Sequence, residues 1–218
     1  MFNMVFSSSC QDIIIFCMQQ RYENMEYKKQ TDTEIHPWEP FVPHDARVLI
    51  MGTFPPGRHR WSMNFYYPNP TNDFWRIMSL IFLGDKDALY DKNVKKFKEE
   101  DLRKLAEMNH IALHDTCREI RRTKGNASDK YLEIIRPVDL YELLEQMPNC
   151  KDIATTGEKA AAIVAEQTFT QIPKMGEYSQ TADCLKLWRM PSTSRAYPMK
   201  IELKAEYYKK LFESCGII

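Results

Sequence analysis

Apolar and polar positions alternate along the chain in short blocks. "ARVLIMGTF" (46–54) is a continuous apolar run closed by Gly52 and two prolines. Such a run reads as a strand buried on both faces, as in parallel sheets. In "NDFWRIMSLIFLG" (72–84), Phe74, Ile77, Met78, Ile81 and Phe82 recur at helical spacing. Asn72 stands where an N-cap would, and Gly84 closes the helix. Lys86 to Met108 is charged and helical in character, a solvated face. "HIALHD" (110–115) reads as a second strand. Pro137 is expected to start a helix, "PVDLYELLEQM", with Leu140, Leu143, Leu144 and Met147 on one face. "KDIATTG" (151–157) and "CLKLWRMPSTS" (184–194) read as strands, "EKAAAIVAEQ" (158–167) and "KAEYYKKLFESC" (204–215) as helices.

Strands alternating with helices predict a three-layer α/β/α sandwich around a central, mostly parallel four-stranded sheet. Residues 31–218 form a single domain on this reading. Within it, "QTDTEIHPWEPFVPHD" (30–45), with three prolines and no sustained period, is an extended arm wrapping the fold. Residues 1–30 are expected to be an N-terminal extension, either partly disordered or preceding the natural start. Their apolar patch at Ile13–Met18 is too short to span a bilayer and lacks a basic leader and a cleavage site.

Composition narrows the function classes. A formal net charge of +0 gives no bulk pull toward nucleic acid or a membrane, although a local basic rim remains compatible with it. Cys10, Cys17, Cys117, Cys150, Cys184 and Cys215 include no C-x-x-C pair, which fits free thiols in a reducing, cytoplasmic compartment. The scattered cysteines and five histidines offer no clustered ligands, so neither a metal nor another cofactor is expected.

In a parallel sheet, ligands bind beyond the carboxyl ends of the strands. Here those ends are Gly52–Gly57, His114–Thr116, Thr155–Gly157 and Pro191–Ser194. The stretch after the first is the oddest in the chain: "GTFPPGRHRWSMNFYYPNPTNDFW" crowds rings, prolines and neutral amides together. It is not a Walker loop, because its prolines remove the backbone N–H groups a phosphate cradle needs. No G-x-G-x-x-G fingerprint and no G-x-S-x-G elbow occur. What remains is rings (Phe54, Phe65, Tyr66, Tyr67), amides (Asn64, Asn69, Asn72) and a carboxylate, Asp115. Rings stack on a flat heteroaromatic while amides and a carboxylate read its edge, which is the inventory for holding a nucleobase.

"GTFPPG…FYYPNPTNDFW" together with "MPSTS" resembles the two signature motifs of the uracil-DNA glycosylase superfamily, nearest the branch that includes the hypoxanthine-DNA glycosylases. "IALHDTCRE", "GNASDKYLEIIRPVDLYELL" and "ATTGEKAA" follow in the expected order, so the resemblance covers about Arg47 to Tyr197. It implies the sandwich already read from the pattern, and hydrolysis of the N-glycosidic bond of a flipped deaminated base such as uracil, hypoxanthine or xanthine. By this resemblance the enzyme is a monofunctional, metal-free glycosylase of base-excision repair. It would act as a monomer on DNA and carry no membrane association.

By the same resemblance Asn72 positions water or base; the alternative from local pattern is a helix N-cap, and the two roles compete for one side-chain oxygen. Asp115 reads the base edge, or else caps a turn. Phe54 stands where many superfamily members carry a water-activating Asp or Asn, so the later asparagine must serve. Of Tyr66 and Tyr67, one stacks on the base and one packs. His114 either stabilises a base anion or is structural. Ser192, Thr193 and Ser194 suit DNA phosphates. Arg195 or Tyr197 would fill the vacated stack, and Arg58 with His59, Arg60 and Trp61 forms a basic rim. "REIRRTKGN" (118–126) is a further candidate for backbone contacts. Two other readings share these residues: a base-binding module of the same fold without catalysis, and a protein that handles free nucleobases or nucleosides.

Overall fold

A computed structural model of the chain describes residues 33–124 and 129–218, with Gln19 alone before them. The expected extension over 1–30 lies, Gln19 apart, outside the described residues, as do residues 125 and 126 at the end of the 118–126 segment. In chain order the elements are β1 (Thr33–Ile35), β2 (Val48–Gly52), α1 (Phe74–Leu83), β3 (Tyr90–Asp91), β4 (Lys96–Phe97), α2 (Glu99–Met108), β5 (Ile111–Asp115) and β6 (Cys117–Arg122). They continue with β7 (Leu132–Pro137), α3 (Leu140–Glu145), β8 (Asp152–Thr156), α4 (Glu158–Gln167), β9 (Tyr178–Gln180), β10 (Lys186–Met190) and α5 (Ile201–Ser214).

Every residue of β2 and β5 is buried, as their unbroken apolar runs require. Among the described residues the central sheet has the order β5-β2-β8-β10-β9. The first four strands are parallel, and β9 is a short antiparallel edge that the apolar pattern did not reveal. Successive residues of β2 point to opposite faces. Val48 and Ile50 pack into the core that holds Phe74, Ile77 and Met78 of α1, Leu102 and Leu105 of α2, and Tyr208, Leu211 and Phe212 of α5. Leu49 and Met51 face the other core, with Leu140 and Leu143 of α3 and Val164 and Ala165 of α4. Helices therefore cover both faces, and the molecule is the α/β/α sandwich the pattern predicts.

Three local expectations change. Helix α2 begins only at Glu99; before it, β3 and β4 form a short hairpin. Its turn is made by the Asp91 carboxylate, which accepts from the backbone N–H groups of Asn93 (2.8 Å) and Val94 (3.3 Å). Pro137 ends β7 rather than starting a helix; Asp139 caps α3, accepting from Tyr141 N at 3.0 Å and Glu142 N at 3.1 Å. From Thr33 onward the arm is extended as expected but not merely draped. Its β1 pairs antiparallel with β6 in a second sheet, β1-β6-β7, and Phe41 bridges to Leu113 at the edge of the central sheet. Cys117, Cys150, Cys184 and Cys215 are free thiols. No helix among the described residues is long and apolar enough to cross a membrane.

Candidate active site

Because β2, β5, β8 and β10 run parallel, their carboxyl ends lie on one edge, and the loops leaving them enclose a cleft of about 630 Å³. Its floor is set by register. Gly52 and Asp115, the last residues of β2 and β5, are direct partners. The absence of a side chain at Gly52 lets the Asp115 carboxylate lie against the β2 backbone: a Cβ built there would sit 2.5 Å from Asp115 Oδ1 and 3.4 Å from the Tyr67 hydroxyl. Asp115 is buried yet faces the cleft. Its other oxygen is held by His36, whose Nε2 is 3.0 Å from Oδ2 and whose side chain is fully buried. His36 Nδ1 lies 2.9 Å from Trp38 O. His36 follows β1 directly, and its backbone N–H, donating to Arg118 O at 2.8 Å, anchors the main chain that carries the ring.

One wall carries rings. Phe54 lines the cleft while its back is supported by the edge of His36 (5.5 Å, 90°) and by the Arg122 guanidinium (5.8 Å). Arg122 also donates to Pro55 O at 2.6 Å and to Glu34 at 2.7 Å, so it fastens the Phe-Pro-Pro loop to the second sheet. Tyr67 lines the cleft as well, its ring stacked on Phe74 at 3.9 Å. Tyr67 has a left-handed backbone, φ 52°, a conformation that non-glycine residues adopt rarely and mostly where function or packing demands it. That conformation separates the two tyrosines. Tyr66 is buried in the core, its hydroxyl donating to Glu39 O at 2.9 Å and lying 2.7 Å from His114 Nδ1. The Glu39 carbonyl can only accept, so the Tyr66 proton goes there and His114 carries its own proton on Nδ1. Burial, reinforced by the neighbouring His36, holds the His114 pKa down at about 4. Burial, with the Asp115 charge added, raises the Tyr67 pKa well above its ordinary value, which keeps that hydroxyl protonated and able to donate.

The opposite wall joins the two motifs. Asn72 bridges to Ser194, and the Asp73 N–H donates to Thr193 O at 2.8 Å. Asn72 is not the cap residue of α1; Asp73 is. The Asn72 Oδ1 accepts from Phe74 N at 2.8 Å, which fixes the amide, since only the oxygen can accept there. A carbonyl oxygen has a second lone pair, so this contact leaves Oδ1 able to accept one further hydrogen bond. The Asn72 amide nitrogen has no partner among the described residues. The Asp73 carboxylate accepts from Lys204 Nζ at 2.9 Å, with Arg195 Nε at 3.5 Å. Lys204 is fully buried and donates also to Ser194 O at 2.9 Å, tying both motifs to α5. The Ser192 hydroxyl accepts from Ser194 N and the Ser194 hydroxyl from Ala196 N, which leaves both O–H groups free to donate outward.

Of the residues singled out from sequence, Asn72, Asp115, Phe54, Tyr67, Ser192, Thr193, Ser194 and Arg195 line one cleft. Tyr66, His114 and Arg58 do not; Arg58 lies over the Trp61 ring at 5.3 Å. Asn64 is spent on Trp38, accepting from its indole N–H at 2.9 Å. Arg122 and Arg121, from the basic "REIRR" stretch, pair with Glu34 and Glu133. Sequence reasoning missed Thr156 and Lys130, which line the cleft, and His36 behind Asp115. Thr156 was reachable from its place at a strand's carboxyl end; His36 was not. Among the described residues no three histidine, cysteine or carboxylate groups gather so as to hold a metal ion.

No family model matches the chain. A hypoxanthine DNA glycosylase from Methanosarcina barkeri is 28% identical over 123 residues, which is 56% of this chain and 70% of that protein. The solution NMR structure of a candidate uracil DNA glycosylase from Methanosarcina acetivorans superposes with a TM-score of 0.56 at 20% identity, over 83% of this chain and 98% of that one. In sequence and in fold alike, this chain resembles the uracil-DNA glycosylase superfamily to which its motifs pointed.

Proposed function

We propose that the chain is a DNA glycosylase that hydrolyses the N-glycosidic bond of a deaminated base flipped into the cleft. The observation that carries this reading is the convergence of Asn72, Phe54 and Tyr67 from one chain segment and Asp115 from a second on one cleft rimmed by a third, Ser192, Ser194 and Arg195. The rings provide an apolar slot for a flat base. Asp115, with Oδ2 committed to His36, offers Oδ1 as an acceptor beside it. Uracil and hypoxanthine carry a ring N–H where cytosine and adenine carry a bare acceptor nitrogen. A fixed carboxylate therefore favours the deaminated base over its parent.

Bond cleavage passes through an oxocarbenium-like sugar, and the electron pair of the C1′–N bond leaves with the base. The free lone pair on Asn72 Oδ1 holds a water by one of its protons. The water oxygen adds to C1′ and its proton is released, finally to the base. The Tyr67 and Thr156 hydroxyls lie 3.3 Å apart; one O–H bridges the pair and the other is a neutral donor that can spread charge on the departing base. Asp115 selects and holds the base; as a carboxylate it does not stabilise an anion. Phe54 brings no acid to the first motif, so attack relies on positioning.

The test is an abasic-site assay on oligonucleotides carrying uracil, hypoxanthine or xanthine opposite each normal base, with alkaline strand scission as readout. Asn72→Ala is expected to lose at least a hundredfold in rate with DNA binding retained. Absence of abasic sites on every substrate, despite salt-sensitive DNA binding, would overturn the enzyme reading in favour of a base-recognition module.

A further inference from the structure

Beside the cleft runs a second groove of about 480 Å³, between the Arg58–Arg60 turn and the β3–β4 hairpin. We infer that this groove holds the DNA backbone flanking the flipped nucleotide, with Lys95 and Lys96 of the hairpin on its phosphates. The inference rests on the glycosylase reading above and adds a DNA-contacting element that neither signature motif contains.

Continuity is the first support. Arg60, Asn69 and Thr71 line both the groove and the cleft, so a strand leaving the cleft enters the groove directly. Charge is the second. The ionisable side chains lining the groove are His59, Arg60, Lys95 and Lys96, all basic, in a protein whose formal net charge is +0. The nearby acids are engaged elsewhere: Asp91 accepts from the hairpin's turn, and Asp87 pairs with Arg76 and Lys92. Lys95 and Lys96 are exposed and form no ion pair among the described residues. Exposed lysines facing a groove without carboxylates are a polyanion site, and a strand anchored by its flipped nucleotide is the polyanion that the shared residues deliver there.

The test measures binding of a duplex carrying one hypoxanthine across a range of NaCl concentrations. Each phosphate contact contributes about 0.9 to the slope of log K against log salt, so Lys95→Ala/Lys96→Ala should flatten that slope by about 1.8 and weaken binding at moderate salt. Lys209→Ala/Lys210→Ala on α5, outside both cavities, removes equal charge and should leave the slope unchanged. A wild-type slope in the hairpin variant, or an equal loss in the α5 variant, would overturn the groove assignment. Salt-independent or absent binding by the wild-type protein would instead sink the glycosylase reading on which it rests.

Discussion

Replacing Gly52 with alanine puts a methyl group where the Asp115 carboxylate now lies. Gly52 ends β2 in ordinary strand backbone, so alanine's φ and ψ cost nothing there; the effect is purely one of space. The new Cβ would be 2.5 Å from Asp115 Oδ1 and 3.7 Å from Cγ, while ordinary contact begins near 3.4 Å. The carboxylate must therefore retreat by nearly an ångström. It cannot slide along the strand, because Gly52 and Asp115 are register partners, and rotating it strains the 3.0 Å contact with His36. A displacement of about 1 Å at a positioning group costs on the order of a hundredfold in rate, or about 2.7 kcal/mol of transition-state stabilisation. Single-turnover release of hypoxanthine or uracil from a labelled duplex reads this directly, with thermal unfolding as a check on the fold. Gly57→Ala is the control, since its methyl would meet only the movable His59 ring. Full single-turnover activity in Gly52→Ala, with the fold intact, would refute the claim that catalysis depends on where Asp115 sits.

Other perturbations have defined outcomes. His36→Leu removes the partner of a buried carboxylate oxygen and should cost about 1.5–3 kcal/mol in denaturant unfolding, together with a loss of base release. Lys204→Met leaves the Asp73 carboxylate with the more exposed Arg195 alone and should cost about 3 kcal/mol, the low end for a broken buried pair; Lys204→Met/Asp73→Asn should recover part of it. His114 is neutral in the folded state, its pKa lowered from 6.5 to about 4, so the unfolded chain binds the extra proton between those values. Stability should therefore fall as pH drops through that window, by on the order of 3 kcal/mol, and level off below it. In His114→Gln that share of the slope should vanish from unfolding curves taken between pH 7 and pH 4.

The layers of the fold were legible because buried parallel strands must be apolar on both faces, and β2 and β5 are. Asn72, Asp115 and the serine loop were legible because strand ends and motif spacing place them. Two things were hidden. Tyr66 and Tyr67 are adjacent and chemically alike; only the left-handed backbone at Tyr67 sends one ring to the core and the other to the cleft. His36 and Asp115 lie 79 residues apart, so no local pattern marks their pairing. Lys204 was hidden for a related reason: on a helix rich in lysine, its burial depends on an Asp73 carboxylate contributed from another segment. Charged residues suit helix and hairpin alike, so the pattern over 86–108 does not separate the 90–97 hairpin, whose turn the Asp91 carboxylate holds, from helix.

The Lys204 contacts also make the cleft depend on a distant helix. Asp73 and Ser194 are drawn together by an ammonium that belongs to α5, the last element of the fold. Without α5 the two motifs would keep the Asn72–Ser194 bridge and the Asp73 N–H bond to Thr193 O, but the Asp73 carboxylate would retain only Arg195. The α5 lysine is thus a clasp: one wall of the cleft leans on a helix that contributes no residue to the lining.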